Sequence, residues 1–310
     1  MLDTPSLAVR IPVPDLHPVL AGNALPGVWT FDSGVAGPHV VVVSLVHGNE
    51  FAGAVVLRRW LLDGLRPSRG RLTLVFANLA AFARFDPADP TLSRYVDEDL
   101  NRVWRPEWLD GPRDSAEIRR ARELRPVVES ADILIDLHSM LWPSDPLVLC
   151  GRTSRARALA LSLAGPEIVV AEDAHPEGGR LLDHADFAAE DGHRTALLVE
   201  GGQHWESGTV EVLEAAVASI LRHAGLIPPR PARKVAKSLW RVTQGIVAAT
   251  RDFTFVTPVR GGQVVPAAGT LIARDGAADI RTPHDDCMLV MPTPRIMRGH
   301  LAVRLARQAG

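Results

Sequence analysis

Charge of one sign is what this chain most lacks. Its formal net charge is −2 over 310 residues, and it has no long basic run. Such a balance offers no broad field to nucleic acid or an anionic membrane surface, so a charged ligand must be met by particular side chains. No stretch approaches the ~18 apolar residues of a membrane-spanning helix. The first residues, with Asp3 and Pro5 among them, hold no apolar core of signal-peptide length. Only two cysteines occur, Cys150 and Cys287, and neither stands in a metal-ligand spacing. Reduced, buried thiols in a reducing compartment are expected rather than a disulfide. Neither GxxxxGK(S/T) nor GxGxxG after a strand is present, which argues against a nucleotide-dependent enzyme. The expectation is a soluble, cytoplasmic protein whose 46% hydrophobic residues suffice for a real core.

What the chain does have is an alternation of short apolar runs and amphipathic stretches. Residues 40–46 (VVVVSLV) are a β-branched run of strand length, as in a strand buried on both faces. Further strands are expected at 71–79, 132–137, 146–150, 167–170 and 196–200, and helices at 51–65, 115–129, 154–163 and 210–226. This alternation implies a layered α/β domain with a parallel or mixed sheet flanked by helices. The proline-rich stretch 226–233 (LIPPRPAR) then changes the pattern. After it, β-like runs at 245–249, 253–256, 270–273 and 288–291, punctuated by glycine and proline, predict a small β-rich domain. The expected division is 1–230 for the α/β domain and 234–310 for the β-rich one. Residues 82–114 read as neither helix nor strand, and connections of that length are usually functional.

His47-Gly48-Asn49-Glu50 follows the first strand, and Asp136-Leu137-His138 ends another. Two histidines and one carboxylate are a familiar catalytic zinc set, which leaves a coordination position for water. In open α/β sheets ligands gather at the carboxyl ends of strands, and His47, Glu50 and His138 all fall there. Either histidine alone is more often a hydrogen-bonded core residue; together, and so placed, they favour one metal site. The run Arg94-Tyr95-Val96-Asp97-Glu98-Asp99-Leu100-Asn101-Arg102 lies in the unassigned connection. A loop rich in both charges is ordinarily just solvated, and Asp97 and Glu98 read so. Arginine, however, presents a planar fork suited to carboxylates, and Asn101 beside Arg102 adds a second kind of donor. Arg94 can polarise a carbonyl oxygen on which negative charge develops. Glu200 closes the apolar strand and precedes Gly201-Gly202. A carboxylate so poorly solvated is either paired or raised in pKa, and beside an activated water it suits a general base.

In this order the pieces His47-Gly48-Asn49-Glu50, Arg94-Tyr95-x-Asp97-x-Asp99-Leu100-Asn101-Arg102, Asp136-Leu137-His138 and Val199-Glu200-Gly201 resemble the aspartoacylase and succinylglutamate desuccinylase family, relatives of the zinc carboxypeptidases. The resemblance implies a zinc-carboxypeptidase-like mixed sheet and a small C-terminal β domain that narrows the entrance. It implies one zinc ion per chain on His47, Glu50 and His138, with Glu200 acting as base and then acid. Arg94 would polarise the scissile carbonyl, and Asn101 with Arg102 would hold a substrate carboxylate. Asp99 would orient a zinc histidine, and Asp136, on the strand face of His138, would do similar work. The implied reaction is hydrolysis of the amide bond of an N-acyl amino acid or similar small carboxylate-bearing amide.

Two departures bear on specificity. In aspartoacylase a second arginine and tyrosines complete the pocket, whereas Tyr95 is the one tyrosine here. Arg180, in Glu177-Gly178-Gly179-Arg180, is the candidate second arginine. Gln203-His204-Trp205 either lines the pocket or forms a plain surface turn. The nearest rival is a metallocarboxypeptidase acting on peptides or amino-acid conjugates, which needs an open cleft. A non-catalytic zinc-binding or ligand-binding module has no use for Glu200 and Arg94. The acyl group, the amine and the oligomeric state are left open, a homo-oligomer included.

Overall fold

The structure, a computed structural model, describes residues 7–309 except 174, 231–235 and 294–295. Its strands are β1 (Val28–Asp32), β2 (His39–Ser44), β3 (Arg71–Phe76), β4 (Ile133–Met140), β5 (Leu147–Leu149), β6 (Ile168–Ala171), β7 (Thr195–Gln203), β8 (Ser238–Val247), β9 (Phe253–Phe255), β10 (Val264–Val265), β11 (Leu271–Asp275), β12 (Ala278–Arg281), β13 (Cys287–Val290) and β14 (Leu301–Ala309). Eleven of them form one mixed sheet in the order β1-β3-β2-β4-β7-β5-β6-β8-β14-β13-β10, and β12-β11-β9 form a second.

The valine run sits where its composition requires. β2 lies between β3 and β4 and is parallel to both. Val40 and Val42 enter one core and Val41 and Val43 the other, none more than 1% exposed. Each such burial is worth about 1.5–3 kcal/mol of transfer free energy. The helices Ala52–Leu62, Ser154–Ser162 and Ser207–His223 pack on the first face, and Ala116–Glu129 covers the second. Ser115 begins that last helix by accepting a hydrogen bond from the Ile118 amide at 3.0 Å, which satisfies one of the free donors of the first turn.

The C-terminal strands join this sheet. β8 pairs parallel to β6, from Ile168↔Ser238 to Ala171↔Arg241. The proline-rich stretch 226–233 precedes that contact, and its residues 231–233 lie outside the described residues. Periodicity does not reveal β1 or β14. β14 carries Arg304 and Arg307 among alanines, a composition with little strand propensity. It is a strand because β8 and β13 pair with it on either side. The connection 82–114 contains two single 3-10 turns, Leu92–Arg94 and Leu100–Arg102, and the short helix Pro106–Leu109. Among the described residues no helix is long and apolar enough to cross a membrane.

Candidate active site

Strands β2, β4 and β7 run parallel, so their carboxyl ends share one edge of the sheet. Leu45, just past β2, adopts the left-handed region at φ 56°. That conformation costs a residue with a Cβ about 1–2 kcal/mol, and here it turns the chain into His47. Gly48 then passes so close to Ala81, Phe82 and Ser93 that a Cβ would lie 2.5 Å from their backbone atoms. Only glycine fits between His47 and Asn49.

His47, Glu50 and His138 meet at this edge, all buried. Glu50 joins the two rings: its Oε1 lies 2.8 Å from His47 Nδ1 and its Oε2 3.0 Å from His138 Nδ1. The far nitrogens are also held, His47 Nε2 by Asp99 Oδ1 at 2.9 Å and His138 Nε2 by Asp136 Oδ2 at 2.8 Å. Arg94 completes the ring, with Nη1 donating to Glu50 Oε1 and Nη2 to Asp99 Oδ2, each at 3.0 Å.

Burial pushes the Glu50 pKa up, but His47 and His138 outweigh it and hold the carboxyl well below the usual range. Burial likewise opposes ionisation of Asp99, and His47, Arg94 and Arg102 overcome it. His138 is pushed down by burial and raised further by Asp136 and Glu50, so it stands well above an ordinary histidine. In this arrangement a proton on His138 does what a cation would do. The donor set fits a metal ion: one ligand atom from each of His47, Glu50 and His138 lies within 4.8 Å of the others. With Asp99 and Asp136 beside the Nε2 atoms to accept their protons, an ion between the rings and Glu50 would take the place of the Nδ1 protons and leave each Nδ1 free to act as a ligand.

Glu200 stands beside this cluster because β4 and β7 pair His138 with Glu200, and laterally paired residues of parallel strands share a face. Glu200 is 4% exposed, and its Oε2 has no hydrogen-bond partner. Burial, with Glu50 adding to it, pushes the pKa up to about 8 against the opposing pull of His138 and Arg94. Beyond Glu200 the ladder slips: Met140 pairs with Gln203, so β7 carries an extra residue at Gly201-Gly202. Such bulges re-aim the side chains that follow. Here His204 turns into the cleft, with Nδ1 2.7 Å from Ser139 Oγ. Trp205 is buried behind it and donates to the Asn49 carbonyl at 2.9 Å. Of Gln203-His204-Trp205, His204 lines the cleft, and the turn that carries it is buried rather than on the surface.

The remaining expected residues separate into two groups. Asn101 and Arg102 line the same cleft as the cluster. Asn101 Oδ1 accepts from the Leu181 amide at 2.8 Å, and Arg102 Nη1 donates to the Asn101 carbonyl at 2.9 Å. Arg180, the candidate second arginine, lines the cleft as well, but its hydrogen bonds go elsewhere. Its guanidinium is buried and committed, donating to Glu172 and to Asp183 Oδ2 and Oδ1 at 2.6 and 3.1 Å. Fully buried and filled by two carboxylates, this fork has little left for a third, whereas the similarly anchored Arg94 keeps 37% of its side chain exposed. Glu172 in turn accepts from Arg304 at 2.6 Å, which ties β14 to this part of the fold. The cleft, about 810 Å³, is also lined by residues that sequence patterns do not single out: Ser139, His175, Met291, His300 and Arg304. Ser139 and His175 carry a sequence signal, their nearness to the Asp136–His138 and Glu177–Arg180 motifs.

These features define an α/β protein with a buried candidate metal centre at the carboxyl edge of its sheet. Residues 36–224, more than half of the chain, match the succinylglutamate desuccinylase/aspartoacylase catalytic domain, and the protein belongs to that family, the one its ordered motifs resemble. The N-acyl-aromatic-L-amino acid amidohydrolase (carboxylate-forming) of Xenopus laevis is 37% identical over 109 residues, 32% of this chain and 33% of that protein. A probable aspartoacylase of Parasynechococcus marenigrum is 33% identical over 132 residues, 41% of this chain and 42% of its own length. The chain thus spans about a third of the first of these curated relatives and 42% of the second. Among solved structures, succinylglutamate desuccinylase from Vibrio cholerae has a TM-score of 0.72 at 20% identity, covering 92% of this chain and 86% of that one. Murine aminoacylase 3 has a TM-score of 0.66 at 20% identity, covering 88% and 96%. At that identity the two structures bear on the fold alone.

Proposed function

We propose that the protein is a zinc-dependent hydrolase that cleaves the amide bond of N-acyl amino acids or similar small carboxylate-bearing amides. The observation that carries this is Glu200, buried with an unpartnered oxygen and in register with His138 of the His47–Glu50–His138 cluster. A single zinc ion held by those three residues would supply Lewis acidity toward a water and toward an amide carbonyl. Glu200 takes a proton from the attacking water and returns it to the departing amine nitrogen. Its raised proton affinity suits it to keep that proton between the two steps. Arg94, anchored by Glu50 and Asp99, donates to the carbonyl oxygen as negative charge develops there. Asn101 and Arg102 orient the substrate carboxylate and take no part in the bond changes. Asp99 and Asp136 keep each ligand histidine in the tautomer and orientation it needs.

Met291, His300 and Arg304 wall the cleft from the region 234–310, which we read as a β-rich domain that limits entry. That wall favours a small substrate over a peptide, and so a deacylase over a carboxypeptidase. The names of the amidohydrolase and aspartoacylase relatives support the same choice. Cys150 and Cys287, both free and buried, support a reducing, cytoplasmic setting. The test is metal analysis followed by a mass-spectrometric screen of N-acetyl, N-succinyl and N-formyl amino acids. About one zinc per chain and release of a free amino acid from one class are expected. Turnover of peptides with none of these amides cleaved would refute the proposal.

A further inference from the structure

We infer that His175 is a further specificity-determining residue, forming with Arg102 a two-donor clamp for the substrate carboxylate. This rests on reading the cleft as a deacylase site. His175 is buried and lines the cleft. Its loop is stitched to the Arg102 segment by backbone: Gly179 N donates to the Arg102 carbonyl and Trp104 N to the Gly179 carbonyl, both at 3.1 Å. Gly178 lies so close that a Cβ there would sit 2.5 Å from the Arg102 oxygen. On its other side the loop is fastened to the start of β14, where Glu177 Oε1 accepts from the Leu301 amide at 2.6 Å. His175 and Arg102 are therefore held side by side by three separate parts of the chain.

The imidazole meets a donor at each nitrogen. Nδ1 lies 3.2 Å from the Glu177 amide nitrogen, and Nε2 lies 3.2 Å from Arg102 Nη2. Backbone amides and guanidinium groups only donate, and a neutral imidazole accepts at one nitrogen alone. Burial, with Arg102, Arg304 and Arg180 adding to it, drives the proton affinity of His175 down and keeps the ring neutral. One of the two contacts must therefore set donor against donor. The Glu177 contact is local, two residues along the same loop, whereas Arg102 faces the cleft. With Nδ1 accepting from Glu177, Nε2–H and Arg102 Nη2–H converge on one point with no acceptor between them. Arg102 Nε is also buried without a hydrogen-bond partner, 3.8 Å from Glu177 Oε2. A carboxylate oxygen is the acceptor this arrangement lacks, and Arg102 brings the charge while His175 brings a second direction.

The test measures binding of an N-acetyl amino acid and of its C-terminal carboxamide by calorimetry. It uses zinc-loaded Glu200→Gln protein, alone and with His175→Ala or His175→Gln added, while wild-type turnover is followed separately. The preference for carboxylate over carboxamide should fall about tenfold or more in His175→Ala, the usual worth of a hydrogen bond to a charged group. It should return in His175→Gln, whose amide nitrogen can donate from a similar position. A preference unchanged in His175→Ala, or lost equally in His175→Gln, overturns the clamp. So does a parent protein with no carboxylate preference at all. Loss of the preference in His175→Ala and its return in His175→Gln, with a wild-type chain that cleaves nothing, supports the clamp and defeats the hydrolase proposal instead.

Discussion

Replacing Glu200 by glutamine should yield a protein more stable without metal and nearly inactive with it. Burial holds the pKa of Glu200 at about 8 in the fold, against an ordinary value of 4.5. Below the ordinary value, folded and unfolded chains both carry the proton, and the group adds no pH dependence. As pH rises, the unfolded chain ionises while the folded chain keeps its proton, so stability is lost progressively until the folded pKa is passed. At pH 7 the loss is about 3 kcal/mol, from about 1.4 kcal/mol for each unit above the ordinary value. Glutamine has nearly the same shape and never ionises. Metal-free Glu200→Gln should therefore match wild type near pH 4 and exceed it by up to about 3 kcal/mol at pH 7. Reloaded with zinc it should keep the metal yet lose on the order of 10²-fold or more in turnover, the usual contribution of a positioned acid–base group. The assay is urea unfolding of chelator-treated proteins across that pH range, paired with metal content and activity after reloading. A stability difference that stays flat with pH, or a glutamine variant weaker than wild type at pH 7, would refute the reasoning. Such a trade of stability for activity is common where a strained or destabilised group does the chemistry.

Three other outcomes are expected. His47→Ala and His138→Ala should each remove most of the bound zinc by metal analysis, and full retention in both would sink the site. Asp99→Asn still accepts from His47 but loses its charge opposite Arg94, so zinc affinity should drop about 10- to 100-fold in a competition titration with a chelating dye; an unchanged affinity would remove Asp99 from the supporting role. Gly48→Ala puts a Cβ 2.5 Å from the backbone of three residues and should cost about 1–3 kcal/mol in urea unfolding, with lower zinc occupancy; a neutral result would mean the turn has room to give.

The local chemistry of the chain was enough for several of its parts. Four consecutive valines at 40–43 can hardly be anything but a doubly buried strand, and β2 is one. Ser115 announced the start of a helix, and His47, Glu50 and His138 carried the ligand types that one metal site needs, each at the end of a strand. Side-chain period and residue chemistry act over a few positions, so they can be read without knowing what packs against them. What only the tertiary structure decided depends on partners far along the chain. Arg180 reads in sequence as a candidate second arginine of the pocket, and its guanidinium is held by Glu172 and Asp183. β14 has a poor strand composition and is made a strand by β8 and β13. His204 enters the cleft because one extra residue in β7 slips the ladder against β4. Arg304 reaches Glu172 across 132 residues, and His175 meets Arg102 across 73. Such encounters are set by how sheet edges and loops close on one another, and no window of neighbouring residues contains that information.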